Sequence, residues 1–231
     1  MADRMKVLVT GAAGAVGQVV VKGLWNRFRI RGFDMRPMPG IDDSVVADLS
    51  DKRALERAVE GMDAIIHLAA IPSGAFPWEE ILESNIVGTQ NLFEAATQGG
   101  VKRIAYTSRA GLLAPYPEHT TRTVDLPPRP KSFYSVSKVF GESLGYMYAA
   151  LHGMEVVCVR IGNLQGDRPE PSHPHHLGHI DCVNVYEQAI TWPGVKFEIV
   201  FGVSGSKTPL YDLESGRRAI GYYPEQGFEA S

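Results

Sequence analysis

A glycine-rich turn near the start of the chain limits the possible folds more than any other segment. In "KVLVTGAAGAVG" an apolar run typical of a strand leads directly into three glycines spaced three residues apart. When such a turn opens a helix, its backbone N–H groups and the positive end of the helix dipole bind phosphate. A glycine turn that only reverses the chain is the alternative. The residues predicted to hold a pyrophosphate are Gly11, Gly14, Ala15, Val16 and Gly17.

Short β-branched runs alternate with helical stretches through the first 161 residues. Nearly continuous apolar strands separated by helices are typical of a parallel sheet that is covered on both faces. We therefore predict an α/β fold with a Rossmann-like, doubly wound parallel sheet. The predicted strands are 6–10, 29–34, 44–49, 63–70, 103–108, 155–161 and 196–202. The predicted helices are 15–26, one that starts after a Ser50 or Asp51 cap, 79–97, 132–151 and 181–191.

The alternation loosens after residue 161, and the remaining segment, 162–231, is too short for a second independent domain. We expect one domain over 1–231, in which 162–231 forms a small substrate-binding part. Within this segment "GYYPE" is predicted to pack against the rest of the domain.

Composition excludes several classes of protein. The net charge of −3 and a pI near 6.2 give no basic surface for nucleic acid or for a membrane. The apolar runs are shorter than the roughly 20 residues that span a bilayer, and "MADRMKVLVT" does not resemble a secretory signal. Two cysteines, Cys158 and Cys182, are too few for a disulfide framework, and Cys158 is predicted to lie in the core. We expect a soluble cytoplasmic protein.

An acidic residue at the end of the second strand points to the cofactor. Asp34 follows Gly17 by seventeen residues, where a carboxylate can accept hydrogen bonds from ribose hydroxyls and repel a 2′-phosphate. This favours NAD over NADP, although a turn aspartate is the alternative and Arg36 could accommodate the phosphate. Asp48 and Leu49 end the third strand, where they could meet the adenine or cap a helix. Leu68, Ala69 and Ala70 end the fourth strand, where small side chains would let the cofactor approach closely.

"FYSVSKVFGE" places Tyr134 and Lys138 four residues apart and so on one face of a helix. An ammonium beside a phenol stabilises the phenolate and lowers the pKa of the tyrosine. Tyr134 could then remove a hydroxyl proton while a hydride leaves the same carbon. Lys138 would also hold the nicotinamide ribose.

With these motifs the chain resembles the extended short-chain dehydrogenase/reductase family, which contains the NAD-dependent epimerases and dehydratases. The resemblance runs through "VTGAAGAVG", "DLSD", "HLAA", "NIVGTQNLFEAA", "YTS", "YSVSK", "VRIGNLQG" and "RRAIGYYPE". It implies that Asn85 supports an active-site water and backbone network, and that Ser108 is the hydroxyl that orients the substrate. It also implies that Ile161 contacts the cofactor and that Asn163 contacts the substrate.

The residues after Ser108 bear on the reaction. Dehydratases of the family carry Asp-Glu at the two positions that Arg109 and Ala110 occupy here, so dehydration is not expected. The short C-terminal part is too small for a sugar nucleotide. Among the short members the chain most resembles the uronate dehydrogenases, which oxidise a hexuronic acid with NAD.

Three departures from the uronate dehydrogenases leave the substrate open. Those enzymes have Ser-Asn-His where this chain has Ser-Arg-Ala, and a serine near position 72 where this chain has Pro72 and Ser73. They also bind the substrate carboxylate with an arginine in the loop after the sixth strand, where the only arginine of this chain is Arg168 and the sequence does not fix its register. Arg109 could bind a substrate carboxylate through two parallel hydrogen bonds. Pairing with a nearby acid, or a position in solvent, is the alternative for Arg109.

The leading hypothesis is an NAD-dependent dehydrogenase of a small sugar or sugar acid. An epimerase or another reductase of the same family is a second hypothesis, and a cofactor sensor without turnover is a third. Residues 173–179, "HPHHLGH", could suggest a metal, but hydride transfer needs none and we expect no metal site. Substrate or loop contacts and a neutral surface are the alternatives for His173, His175, His176 and His179.

Overall fold

The computed structural model describes residues 4–72, 76–165 and 174–227. The strands are β1 Lys6–Thr10, β2 Arg29–Asp34, β3 Ser44–Val46, β4 Ala64–His67, β5 Arg103–Arg109, β6 Glu155–Ile161, β7 Asn163–Leu164, β8 His176–Leu177 and β9 Phe197–Gly202. Seven of them form a central sheet in the order β3-β2-β1-β4-β5-β6-β9, in which every neighbouring pair is parallel, and β7 and β8 form a separate two-stranded ladder. The helices are α1 Ala15–Leu24, α2 Lys52–Val59, α3 Trp78–Ile81, α4 Gly88–Gln98, α5 Phe133–His152, α6 His179–Thr191 and α7 Glu214–Ile220.

Both faces of the sheet are buried, because apolar side chains point alternately to either side of each strand. Leu8 and Ile65 pack into the layer formed by α2, α4 and α5. Val9 and Ile66 pack into the layer formed by α1 and α6. The predicted doubly wound sheet is confirmed, and Cys158 lies in the core as predicted.

The strand order reverses between β1 and β4, since the chain moves outward from β1 to β3 and then returns to the other side of β1. In an open parallel sheet such a reversal leaves a crevice beyond the carboxyl ends of the strands, where ligands bind. The glycine turn follows β1 and therefore lies at this crevice.

Two predicted strands extend three residues beyond the carboxyl ends of the observed ones. The third was predicted over 44–49 but ends at Val46. Beyond it the Asp48 carboxylate accepts a hydrogen bond from the Ser50 amide, and this turn leads the chain away from the sheet. The fourth was predicted over 63–70 but ends at His67, and beyond it the Ile71 amide bonds to a side chain, not to a strand. Of the two caps proposed for α2, Asp51 is the one observed, and it accepts from the Ala54 amide.

The helix predicted over 79–97 contains a π-helical turn at Leu82–Val87 between α3 and α4. The prediction also lacked α7, the β7–β8 ladder and a 3₁₀ turn at Ala110–Leu113. Elements this short carry too few residues to show a periodic pattern in the sequence. Within the described ranges no helix is long and apolar enough to cross a membrane.

Asp181 on α6 fastens the last described residues to the domain. Its buried carboxylate accepts hydrogen bonds from the Ser204 hydroxyl at 2.5 Å and from the backbone amides of Glu225 at 2.7 Å and Gln226 at 3.1 Å. Nearby, Tyr222 is 2% exposed and donates to a backbone carbonyl. The "GYYPE" segment packs as predicted.

Replacing Asp181 with alanine leaves two backbone amides and a hydroxyl without their acceptor. We expect the free energy of unfolding to fall by about 1–3 kcal/mol, measured by urea denaturation. Asp43→Ala is the matched control, because that carboxylate is 56% exposed and its loss should change stability by less than about 0.5 kcal/mol. Equal losses in the two variants would show that the Asp181 contacts do not fasten this segment.

Candidate active site

A cavity of about 420 Å³ lies along the carboxyl ends of β1, β2 and β4. Its wall combines glycine backbone, small apolar side chains and carboxylates. The predicted cofactor residues that line it are Gly11, Gly14, Asp34, Arg36, Asp48, Leu49, Leu68, Ala69 and Ala70. The structure thus brings together segments that are remote in sequence and that the sequence analysis assigns to the same ligand, NAD.

The glycine turn has no room for side chains. Gly11 has a φ of +70°, and a Cβ there would lie 2.7 Å from the Ala69 amide nitrogen. A Cβ on Gly17 would lie 2.2 Å from the Gly11 carbonyl oxygen. Gly14 is the N-cap of α1, and Ala15 and Val16 are its first two residues. The free amides of this helix therefore face the crevice, as phosphate binding requires.

Asp34 is held rigidly at the edge of the cavity. It is 8% exposed, and its two carboxylate oxygens accept from the backbone amides of Ala13 and Arg36, both at 3.0 Å. The Arg36 side chain is 65% exposed and approaches the same carboxylate at 3.4 Å. Asp34 is therefore a carboxylate held in place at the end of β2, with the exposed Arg36 side chain as its counterion.

Asn85 joins the cofactor crevice to the catalytic helix. Its side-chain amide accepts from the Ile71 amide at 2.7 Å and donates to the Ile71 carbonyl at 3.0 Å and to the Ser137 hydroxyl at 3.2 Å. The π-helical turn carries Asn85, and such turns are frequent at functional sites because they redirect a side chain. The predicted backbone network is thereby observed, while the role in positioning a water stays a prediction.

Sequence reasoning did not select His67, which lies fully buried between the two halves of the site. Its ring nitrogens bond to the hydroxyls of Thr10 at 2.7 Å and Thr89 at 3.2 Å. Burial, and the neighbouring Lys138 charge, lower the pKa of His67 to about 3. A neutral histidine here links β1 to the helix that carries Asn85. The "HLAA" motif contains His67, but nothing in the motif shows that the ring bonds to two threonines.

Tyr134 and Lys138 lie on one face of α5, and Ser132 caps this helix by accepting from the Ser135 amide. The Lys138 Nζ atom is 5.4 Å from the centroid of the Tyr134 ring and 5.3 Å from that of Tyr106. Burial, with a contribution from Arg109, lowers the pKa of Lys138 to about 7. Burial raises the pKa of Tyr134, and the Arg109 charge partly offsets that rise.

Ser108, the hydroxyl that the resemblance assigns to substrate orientation, has a carboxylate as its hydrogen-bond partner. It is 0% exposed, and its Oγ atom donates to the Glu142 carboxylate at 2.6 Å. Glu142 in turn accepts two hydrogen bonds from Arg160, at 2.8 and 2.9 Å. The Ser108 hydroxyl therefore donates a charge-assisted hydrogen bond to a buried carboxylate. The assignment of Ser108 to substrate orientation stays a prediction.

A second cavity, of about 310 Å³, lies at the ends of β5 and β6 and is here called the substrate cavity. It contains Tyr134 together with the predicted residues Arg109, Ile161 and Asn163. The complete lining is Arg109, Ala110, Gly111, Ala114, Tyr134, Ile161, Gly162, Asn163 and His175. Ser73, Arg168 and His173 fall outside the described residues.

The histidine-rich stretch contributes one ring to the substrate cavity. His175 Nδ1 is 2.5 Å from the Tyr211 hydroxyl, and burial raises the pKa of this tyrosine. His176 is buried in β8, and His179 is the first residue of α6. Among the residues that the structure describes, no three His, Cys, Asp or Glu side chains form a group that could bind a metal.

Comparison with known proteins agrees with this geometry. Residues 7–192 match the NAD-dependent epimerase/dehydratase family. The chain belongs to that family. It is 36% identical to the NAD-dependent glucose-6-phosphate dehydrogenase of Haloferax volcanii over 95% of this chain and 92% of that protein. It is 35% identical to the uronate dehydrogenase of Pseudomonas syringae pv. tomato over 97% and 83%.

The fold is also that of solved family members. A uronate dehydrogenase variant from Agrobacterium tumefaciens, determined with NAD, superposes with a TM-score of 0.88 at 34% identity and covers 96% of this chain and 85% of that one. The predicted membership of the extended short-chain dehydrogenase/reductase family is confirmed. The protein is an NAD-dependent dehydrogenase. Its side-chain-free glycine turn and the Asp34 carboxylate, which line one cavity, are the kinds of group that hold the pyrophosphate and the ribose of such a cofactor.

The buried pair of Glu142 and Arg160 should dominate the stability of this site. Arg160→Met leaves a buried carboxylate without its partner, and we expect the free energy of unfolding to fall by about 3–5 kcal/mol, measured by urea denaturation. Arg218→Met is the control, since Arg218 is 68% exposed and 3.5 Å from its partner Asp212. A loss at Arg160 no larger than at Arg218 would contradict the importance of the buried pair.

Proposed function

We propose that this dehydrogenase oxidises a hydroxyl group of a small sugar or sugar acid. The observation that carries the proposal is the substrate cavity, in which Tyr134 and the Arg109 guanidinium line one space of about 310 Å³. That volume suits a monosaccharide and lies at the lower end of ordinary ligand sites. The names of the two relatives above, a glucose-6-phosphate dehydrogenase and a uronate dehydrogenase, both denote monosaccharides with an anionic group.

In the proposed reaction the residues of this chain remove a proton and position the reacting carbon. Tyr134, as phenolate, would accept the proton of the substrate hydroxyl while the hydrogen on the same carbon leaves with the electron pair of its C–H bond, so that the carbon becomes a carbonyl. Lys138 holds the nicotinamide ribose and Ile161 contacts the cofactor. The chemistry that bound NAD would supply is that of an acceptor for this hydride.

The proposed cofactor contacts are residues that line the crevice or begin α1 beside it. The free amides of α1 would bind the pyrophosphate, and Asp34 would accept hydrogen bonds from the ribose hydroxyls. Asp48 and Leu49 would meet the adenine, while Asn85 keeps the loop after β4 in place through Ile71. The remaining proposed contacts are Gly11, Gly14, Ala15, Val16, Gly17, Arg36, Leu68, Ala69 and Ala70.

The proposed substrate contacts lie in the substrate cavity. Arg109 and Asn163 line the substrate cavity, and none of the described residues in its wall is acidic. A cationic wall without carboxylates suits a carboxylate or phosphate on the sugar. We also propose Ser73, Ser108 and Arg168 as substrate contacts, because the sequence suggested them.

We infer that residues 1–231 form one domain in which 162–231 supplies the substrate-binding part, and that the protein works in the cytoplasm. We also infer that two copies pair through α4 and α5. The outward stripe of α5 carries Val136, Met147 and Leu151, which are 42%, 40% and 71% exposed, and α4 adjoins it.

The activity is tested by incubating the protein with NAD and a panel of uronic acids, sugar phosphates, neutral aldoses and sugar alcohols. We expect NADH absorbance to rise with an anionic or neutral monosaccharide, and kcat to fall at least about 100-fold in Tyr134→Phe with NAD affinity retained. Interconversion of sugars without net NADH would favour an epimerase. Tight NADH binding with no turnover of any sugar would favour a cofactor sensor.

Pairing is tested by sedimentation velocity at several protein concentrations. We expect a dimer for the native chain and a shift toward monomer in Met147→Glu/Leu151→Glu, because two carboxylates on this stripe would have to be buried without partners. Tyr146→Glu is the control for an added charge elsewhere on α5, since Tyr146 packs against Phe197 of its own chain. A monomer at every concentration would contradict the pairing.

A further inference from the structure

A row of buried hydrogen bonds leads from the glycine turn toward the helix that carries Tyr134. Thr10, the residue before the turn, lies 2.7 Å from His67 Nδ1, and His67 Nε2 lies 3.2 Å from the Thr89 hydroxyl oxygen. Thr89 donates to the Asn85 carbonyl at 2.7 Å. All four residues are buried. Thr10, His67, Thr89 and Asn85 are here called the histidine row.

The direction of each bond in the histidine row follows from the number of protons available. The Thr89 hydroxyl has one proton and gives it to the Asn85 carbonyl, which can only accept. Thr89 must therefore accept from His67, so Nε2 carries a proton. Burial lowers the pKa of His67 to about 3, so the ring is neutral and Nδ1 carries none. Nδ1 then accepts from Thr10, whose oxygen accepts from the Ala69 amide at 3.3 Å.

The same asparagine starts a second set of bonds, which ends at Tyr134. The Asn85 side chain bonds to the Ile71 backbone and donates to the Ser137 hydroxyl at 3.2 Å. Ser137 in turn donates to the Tyr134 carbonyl at 2.8 Å. Ile71 lines the cofactor cavity, and Tyr134 lies on the first turn of α5. Both sides of the site are therefore bonded to Asn85.

The tautomer of His67 decides whether Asn85 is held. With its proton on Nδ1, the ring would present a lone pair to Thr89 at Nε2. Thr89 would then have to donate to the ring, and the buried Asn85 carbonyl would lose the Thr89 proton, which costs free energy. Only the tautomer with the proton on Nε2 satisfies Thr10, Thr89 and Asn85 together.

We propose that His67, as the neutral tautomer with its proton on Nε2, is a positioning residue that holds Asn85, and through it Tyr134, in register with the glycine turn. His67 does not line the substrate cavity, so its effect on a substrate would pass through Tyr134. The inference rests on the proposed function only in taking Tyr134 as the base.

Two NMR measurements test the proposal without cofactor or substrate. The ¹⁵N signals of the His67 ring, identified by their loss in His67→Gln, should show a protonated Nε2 and an unprotonated Nδ1 at neutral pH. Deuterium exchange of the Ile71 amide reports on Asn85 directly, because that amide donates to the Asn85 side chain. A proton on Nδ1 at neutral pH, with or without one on Nε2, overturns the proposal.

Thr89→Val removes the hydroxyl that bonds to His67 and keeps nearly the same shape, and Thr97→Val is its matched control. Both threonines lie on α4 and donate to the carbonyl four residues earlier, but only Thr89 also accepts from His67. We expect the Ile71 amide to exchange about tenfold faster in Thr89→Val and at the native rate in Thr97→Val. The amides of β6 should keep their native rates in both variants. Equal Ile71 exchange in the two variants contradicts the proposal.

Two substitutions of His67 separate hydrogen bonding from packing. A glutamine side chain has one donor and one acceptor, so His67→Gln should keep Ile71 exchange close to the native rate, whereas His67→Leu should not. Thermal unfolding shows whether each variant is folded, and the two threonine variants decide if His67→Leu is not. Ile71 exchange as fast in His67→Gln as in a folded His67→Leu would show that the ring acts by packing, and the proposal fails.

Turnover gives a separate readout once a sugar is found. We expect kcat to be about tenfold lower in Thr89→Val than in Thr97→Val, with the KM for the sugar changed by less than about twofold, because the base moves while the substrate cavity keeps its wall. Equal kcat values would show that the histidine row does not position Tyr134, and would overturn the proposal. If no sugar is oxidised, the proposed function fails, and the ¹⁵N signals and Ile71 exchange still decide the role of His67.

Discussion

The bidentate pairing of Glu142 with Arg160 fixes the catalytic helix against the sheet. Both side chains are almost fully buried, so neither charge has water as an alternative partner. Tyr134, Lys138 and Glu142 follow each other at intervals of four residues, one helical turn each. Anchoring the third residue on β6 therefore sets the height and rotation of the first two above the crevice.

The cofactor half of the site could be predicted because its signals are local. The glycine turn requires a left-handed φ at Gly11 and the absence of a side chain at Gly17. Only glycine meets both requirements well, so the spacing of the glycines reveals the turn. Asp34 is recognised by its distance from that turn, and Tyr134 and Lys138 by helical spacing. Each inference needed only one element and its immediate neighbour.

The rest depends on contacts between remote segments. Nothing near Ser108 in the sequence shows that its hydroxyl donates a hydrogen bond to Glu142, which lies thirty-four residues away. Likewise, the position of the Arg109 guanidinium depends both on the Ser135 hydroxyl and on the absence of a side chain at Gly111. The π-helical turn that aims Asn85 leaves the apolar periodicity of a long helix almost intact, so the sequence predicts an unbroken helix there.

Arg109 lies between Tyr134 and the substrate cavity. Its Cζ atom is 5.4 Å from the centroid of the Tyr134 ring, and the residue is part of the cavity wall. If the cavity binds the anionic sugar proposed above, the bound anion would offset the positive charge that Tyr134 experiences. An anionic sugar would then gain binding but lose some of the charge that favours the phenolate, whereas a neutral sugar would leave the full charge on Tyr134. The balance between these two effects, not the strength of either contact, would determine which substrate the site turns over faster.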